Sequence, residues 1–381
     1  MEVCLFGVLE MRKGLLYMLL LSAMLVLSAC RTEGDEQQGQ SIGQQSGEIQ
    51  GQESQEEQEG EAISMLTGLP VSDEIRNNRP LAVMFNNIKE GCPQKGIAGA
   101  DVVYEAPVEG RITRLMGIFE DYKNIEEIGS IRSSRDYFVY FAMEYDAIYA
   151  HFGQATPYVG DLLNSDRIDN ISGAVAGIDR PATNSFFRSD ERKAPHNVYI
   201  SAKGLQKDLE KFDYRLTKKE DQIPKFQFVS EATPYNFPYA EDAIKIYPGG
   251  KENTKANGFS KTQSYFEYNP KEQKYYRYQY GDKHIDEATG EQLTYDNIIF
   301  QYCHGEIRDE NDYLAFGCHE TNYRHIQVFT RGKMIPGIWS RSSDEEPANY
   351  RDFNGDPIIL TPGKTWICII WEDYAQDVVY E

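Results

Sequence analysis

The chain has 381 residues, 60 of them acidic against 39 basic, and a formal net charge of −21. A field of that sign discourages broad contact with nucleic acid, teichoic acid or anionic lipid head groups, while leaving room for a local anion pocket. About 320 residues follow the low-complexity start, more than one hydrophobic core usually serves, so two domains are expected.

Arg12 and Lys13 precede an apolar run over 14–26. The run is shorter than the roughly 20 residues of a membrane span and has the length of a signal-peptide core. It closes on Leu27-Ser28-Ala29-Cys30. Small residues before a cysteine suit a lipoprotein signal peptidase, so Cys30 is the expected lipidation site, acylated with chains such as palmitate. Glu2 and Glu10 do not fit the positive start of such a peptide, and Met11 is an alternative first residue. Residues 31–63 are almost entirely Gln, Glu, Gly and Ser, with one arginine against nine acids. Such a stretch buries too little apolar surface to offset the entropy of ordering it, and it reads as an extended tether.

From 64 to 215 apolar runs alternate with amphipathic ones, which predicts an α/β domain. Strands are expected at 81–85, 101–104, 113–119, 128–131 and 148–152. Ser133 with Asp136 three residues on resembles a capping box and predicts a helix start at Ser133. Strand, helix and strand within about 25 residues predict a βαβ unit with 128–131 and 148–152 parallel. A closing amphipathic helix is expected at 201–212, capped by Ser201. Residues 216–224 read as a linker. From 225 to 381 the pattern predicts a mostly antiparallel all-β domain, with strands at 264–268, 275–280, 298–302, 326–330, 334–339 and 365–371. Gly332, Asn354-Gly355 and Pro362-Gly363 supply turns.

Cys92, Cys303, Cys318 and Cys368 follow Cys30. The repeated pairs Cys303-His304 and Cys318-His319, with His325, leave three readings open: a zinc site, a disulfide between Cys303 and Cys318, or two buried thiols. Adjacent residues on a strand point to opposite faces, which weighs against four zinc ligands from these pairs. No metal and no cofactor are expected.

Several motifs carry a resemblance: Asn78-Arg-Pro-Leu-Ala-Val-Met84, Ala100-Asp-Val-Val-Tyr-Glu-Ala106, Val108-Glu-Gly-Arg-Ile-Thr-Arg114, Ile131-Arg-Ser-Ser-Arg135, Glu144-Tyr-Asp-Ala-Ile-Tyr149 with His151, and Ala194-Pro-His-Asn197. In the second half, Tyr276-Arg-Tyr278, His284-Ile-Asp286, Asn297-Ile298 and Leu360-Thr-Pro-Gly-Lys-Thr-Trp366 continue it. Together they resemble the YerB-type lipoproteins of Gram-positive bacteria. The resemblance implies the envelope address and two consecutive family domains over 66–371, and it carries over no catalytic residue. Cys92 stands where a small residue is expected, and Arg111 where a second glycine is more usual. Cys303, Cys318 and Cys368 resemble additions particular to this chain.

In an open α/β sheet, ligands gather beyond the carboxyl ends of the strands. That edge is expected to receive Glu105, Glu109 and Arg114, then Arg132, Ser133 and Arg135, then His151. Arg192 and His196 are expected to fold over them. Helix amides at Ser133 with Arg132 or Arg135 suit an anion; Glu105 or Glu109 with His151 or His196 suit acid–base hydrolysis. The structural alternative is an ion-pair network. Tyr265, Phe266, Tyr268, Tyr275, Tyr276, Tyr278 and Tyr280 suit either glycan stacking or cross-strand pairing, and His284 with Asp286 suits a loop hydrogen bond. The expectation is a lipid-anchored extracytoplasmic envelope protein that binds a cell-wall or small anionic ligand. The alternatives are an envelope hydrolase of a glycan or phosphoester, and a structural interaction protein.

Overall fold

A computed structural model describes residues 62–173, 183–230, 235, 240–252 and 257–381. Cys30 and nearly all of the expected tether lie outside these residues. Among the described residues no helix is long and apolar enough to cross a membrane.

The element order is β1 (Leu81–Phe85), β2 (Val102–Val108), β3 (Ile112–Phe119), β4 (Glu127–Gly129), α1 (Asp136–Met143), β5 (Ile148–Phe152), α2 (Thr156–Asn164), β6 (Asn170–Gly173), β7 (Phe186–Arg188), β8 (Val198–Ser201) and α3 (Ala202–Phe212). It continues with β9 (Lys245–Tyr247), β10 (Tyr265–Asn269), β11 (Lys274–Gln279), β12 (Asn297–Cys303), β13 (Gly305–Ile307), β14 (Leu314–Phe316), β15 (Arg324–Thr330), β16 (Lys333–Ser340) and β17 (Thr365–Trp371). Further two- and three-residue strands complete the edges. The described residues are mostly β with few helices.

One mixed sheet of eleven strands runs Glu241–Asp242, β16, β15, β12, β17, β2, β3, β1, β5, β6, with Asn349–Arg351 beside β16. β17 lies between β12 and β2 and is parallel to both. The residues expected to form an α/β half and a β half therefore share one sheet. Every residue of β1, β2 and β12 is buried, which explains their unbroken apolar runs, since both faces are covered. On one face Met84, Tyr104 and Ile367 pack with Phe141 of α1 and Leu163 of α2. On the other, Phe85, Val103 and Trp366 pack with Ile128, Ile200, Leu205 and Phe266. That second face is covered by the three-stranded sheet β4-β8-β7, by α3 and by a six-stranded sheet built on β9, β10 and β11.

Two expectations are corrected. β4 pairs antiparallel with β8, outside the large sheet, so it does not form a βαβ unit with β5; the parallel neighbours of β5 are β1 and β6. The helix after β4 begins at Asp136, with Arg135 as its N-cap and no side-chain cap bond. The Ser133 hydroxyl donates instead to the Phe152 carbonyl at 3.3 Å. Ser201 does cap α3, accepting from the Gly204 N–H. Within the expected linker, Lys218 is ion-paired with the buried Glu120, and Thr217 bridges Asn78.

Candidate functional site

The strands β1, β2, β5, β6, β12 and β17 all point the same way, so their carboxyl ends make one edge. Residues 131–134 are strung across it. Ile131 bridges Phe85, the Arg132 N–H donates to the Met84 carbonyl at 3.1 Å, and the Phe152 N–H donates to the Arg132 carbonyl at 3.1 Å. The β2–β3 turn arrives beside them. Its Gly110 and Arg111 both have left-handed backbone, φ 75° and 57°, which accounts for a glycine preference at the second position. Gly153 after β5 (φ 81°) leaves room for Ser133, because a Cβ there would stand 2.9 Å from its Oγ.

Three guanidinium groups meet at this edge, two of them on one carboxylate. Arg135 makes a two-bond pair with Glu109, Nε donating to Oε2 at 3.0 Å, and lies over the Tyr313 ring at 5.2 Å. Arg114 donates from Nη1 to the Ser133 carbonyl at 2.8 Å, with Nη2 3.8 Å from Glu109. Arg132 reaches only His196, Nη2 standing 3.3 Å from Nδ1. Its buried Nε has no acceptor among the described residues. The His196 Nδ1 is also 3.0 Å from Asn86 Nδ2. Both neighbours are donors, so Nδ1 accepts and the neutral ring carries its proton on Nε2.

The electrostatics follow from this excess of cations. Burial, then the neighbouring Arg135, lowers the Arg114 pKa to about 9. Burial and Arg135 lower Arg132 as well. Burial and Arg132 lower His196, which favours its neutral form. Burial alone would raise Glu109, but Arg135 and Arg114 hold it below the ordinary carboxylate value.

The remaining candidates lie elsewhere. Glu105 is fully buried on the opposite side of β2 and is ion-paired to Arg277 of β11 at 2.7 Å. It also accepts from Thr113 at 2.7 Å and from the Trp366 indole at 3.1 Å. His151 is fully buried, Nδ1 lies 2.9 Å from the Gly153 carbonyl, and burial lowers its pKa to about 4. Neither reaches solvent. Arg192 is spent on the Gly91 and Pro93 carbonyls, at 2.8 and 2.7 Å, and on Glu287. Glu109, Arg114, Arg132, Ser133, Arg135 and His196 are the candidates brought together.

Comparison with known proteins matches residues 66–215 to the N-terminal domain, and 255–367 to the C-terminal domain, of a protein family of unknown function (DUF3048). The chain is similar to the protein named "Putative lipoprotein YerB" of Bacillus subtilis (strain 168). The two are 30% identical over 306 residues, 80% of this chain and 85% of that one. The chain belongs to the YerB family. The crystal structure of YerB protein from Bacillus subtilis superposes with a TM-score of 0.69 at 26% identity, covering 84% of this chain and 99% of that one.

Against that family background, Cys92 is held in its loop, Sγ donating to the Ile88 carbonyl at 3.2 Å, and burial raises its thiol to about 12. Cys303 and Cys318 are buried with their sulfurs 3.2 Å apart. His319 stacks on Tyr140 at 4.3 Å, while His304 and His325 are exposed. The rings of Tyr265 and Tyr278 stack on each other at 4.6 Å and 2°, so those two faces cover one another rather than a sugar. His284 lies 2.7 Å from Gln94 Oε1, and Asp286 accepts from the Ala98 N–H at 2.8 Å. Sequence reasoning passed over Asn86, although an Asn-Asn pair directly after a fully apolar strand marks that strand's carboxyl end. It also passed over Tyr313, whose approach depends on a hairpin nearly 180 residues from Arg135.

Proposed function

We propose that this YerB-family chain is a lipid-anchored, extracytoplasmic envelope protein that binds an anionic group at the edge formed by Arg114, Arg132, Arg135 and His196. One observation carries the reading: Arg135 and Arg114 share the single carboxylate of Glu109, and the third guanidinium beside them, Arg132, has no ion-pair partner among the described residues. Cations gathered at a partly buried edge repel one another unless an anion joins them, and a planar guanidinium matches a carboxylate or phosphate oxygen pair. The Asn86 amide and the Nε2–H of neutral His196 add uncharged donors. The anchor rests on Cys30 and its preceding apolar run, together with the naming of the Bacillus relative as a lipoprotein.

The test separates binding from stability. Inorganic phosphate, glycerol phosphate and N-acetylmuramate are titrated into the protein, with chloride at matched ionic strength as control. Saturation a hundredfold above Kd stabilises by about 2.7 kcal/mol. Arg132→Ala is expected to melt within a few degrees of the parent and to lose that stabilisation. A parent that ignores all three anions, or a variant that still responds like the parent, overturns the reading.

A further inference from the structure

The β13–β14 hairpin follows Cys303, the last residue of β12, and ends at Phe316, just short of Cys318, before the chain rejoins the large sheet at Arg324. Its register pairs Gly305 with Phe316, Glu306 with Ala315 and Ile307 with Leu314. The Gly317 N–H donates to the His304 carbonyl at 2.9 Å, and the Arg308 N–H to the Tyr313 carbonyl at 2.7 Å. Hydrogen-bonded pairs thus alternate from the tip to the base. One more step of the same ladder sets Cys303 directly opposite Cys318, at a position without ladder hydrogen bonds. Antiparallel Cα atoms at such a position stand about 4.5 Å apart, inside the span of roughly 4.4–6.8 Å that a disulfide requires. The two sulfurs already lie 3.2 Å apart, and both residues are fully buried.

We infer that Cys303 and Cys318 are joined by a cross-strand disulfide. The inference rests on the export part of the function proposed above, because a bond of this kind persists outside the reducing cytoplasm; it is independent of the anion site. The oxidant is a disulfide-bearing donor, either a protein or a small molecule. One cysteine loses its proton and attacks a donor sulfur, forming a mixed disulfide and releasing one donor thiolate. The second cysteine, also deprotonated, displaces the other donor sulfur and closes the bond. The donor leaves with the two electrons and, on protonation, the two protons that the pair gave up.

Burial and the adjacent Cys303 hold the Cys318 thiol well above its ordinary value. The exchange therefore belongs to the stage before the hairpin docks, and the finished bond is shielded from reductants. The segment it closes bears on the guanidinium cluster. Tyr313 lies against Arg135, Arg308 pairs with Asp136 at 2.5 Å, and Asp309 accepts from the Tyr158 hydroxyl at 2.6 Å. A bond at the hairpin's base would fix that rim.

The full chain, extracted from membranes of its host, is unfolded in denaturant with an alkylating reagent and no reductant, then mapped by mass spectrometry. Cys92 and Cys368 are expected to be labelled, with Cys303 and Cys318 recovered as one linked peptide that separates and labels after reduction. Labelling of all four before reduction overturns the inference and leaves export untouched. If the chain instead fractionates unlipidated in the cytoplasm, the export reading fails. Refolding the reduced chain in a glutathione redox buffer then decides the pairing alone: a 303–318 link upholds it, and recovery of Cys303 and Cys318 as free thiols overturns it.

Discussion

Replacing Arg277 by methionine isolates the contact that ties β11 to β2. The guanidinium lies between the rings of Trp366 and Phe266, 4.2 and 4.7 Å from their centroids, and reaches Glu105 at 2.7 Å with neither side chain exposed. Methionine keeps most of the packing and removes the charge, so Glu105 is left buried with only neutral donors. Breaking a buried pair from one side costs about 3–5 kcal/mol, and the lost ring contacts add about 1 kcal/mol. Against a total stability of roughly 5–15 kcal/mol, the variant should melt about 6–9 °C below the parent for a unit of about 320 residues. The loss should also depend on pH. Burial already holds Glu105 above the ordinary carboxylate value despite Arg277, and without Arg277 it rises further. The folded state then keeps a proton that the unfolded state releases, so the variant loses stability as pH climbs above the ordinary carboxylate value. Adding Glu105→Gln should remove that slope. Denaturant titrations followed by tryptophan fluorescence at pH 4.5, 6 and 7.5 measure both effects. A loss below about 1 kcal/mol, or one no larger at pH 7.5 than at 4.5, would refute the account of a buried, charge-balanced joint.

His151 gives the opposite slope. Its pKa falls from the ordinary 6.5 to about 4 on folding, so the stability it contributes is complete above pH 6.5 and drains away toward pH 4, by about 3 kcal/mol. His151→Gln should shrink the difference between melts at pH 7 and pH 4 by that amount, and an unchanged difference would show that another group governs it. Cys30→Ala should move the protein from the detergent-extracted membrane fraction into the soluble exported fraction, since only acyl chains are proposed to hold it; continued detergent dependence would defeat the anchor.

Local pattern made much of this fold readable. The periodic stretch behind Ser201 became α3 because a helix satisfies its own backbone bonds and buries one face, and the apolar run at 81–85 became β1 because an unbroken apolar strand suits a sheet covered on both faces. Local pattern failed where a distant partner decides. Ile128 looks like a central-sheet residue, yet β4 is claimed by β8 about seventy residues later. Ser133 has the spacing of a cap, but residues 131–134 are tied by backbone bonds across the sheet edge, so the helix starts only at Asp136. Glu105 and His151 sit inside apolar strands, a pattern that by itself demands buried partners. For Glu105 that partner, Arg277, is 172 residues away, beyond any local pattern. The cluster of Arg114, Arg132, Arg135 and Glu109 was legible because one sheet edge collects all four.

The placement of β17 has a consequence for the order of events as the chain is made. The strand wedged between β12 and β2 is the last long one to be synthesised, so the middle of the sheet is the final part to exist. Until residue 371 is free to move, β2 and β12 present facing rows of unpaired N–H and C=O groups, an arrangement that invites pairing with other chains. Under the export proposed above, the chain must be kept from neighbours until β17 has crossed. The two family segments, though consecutive in sequence, are joined in one sheet.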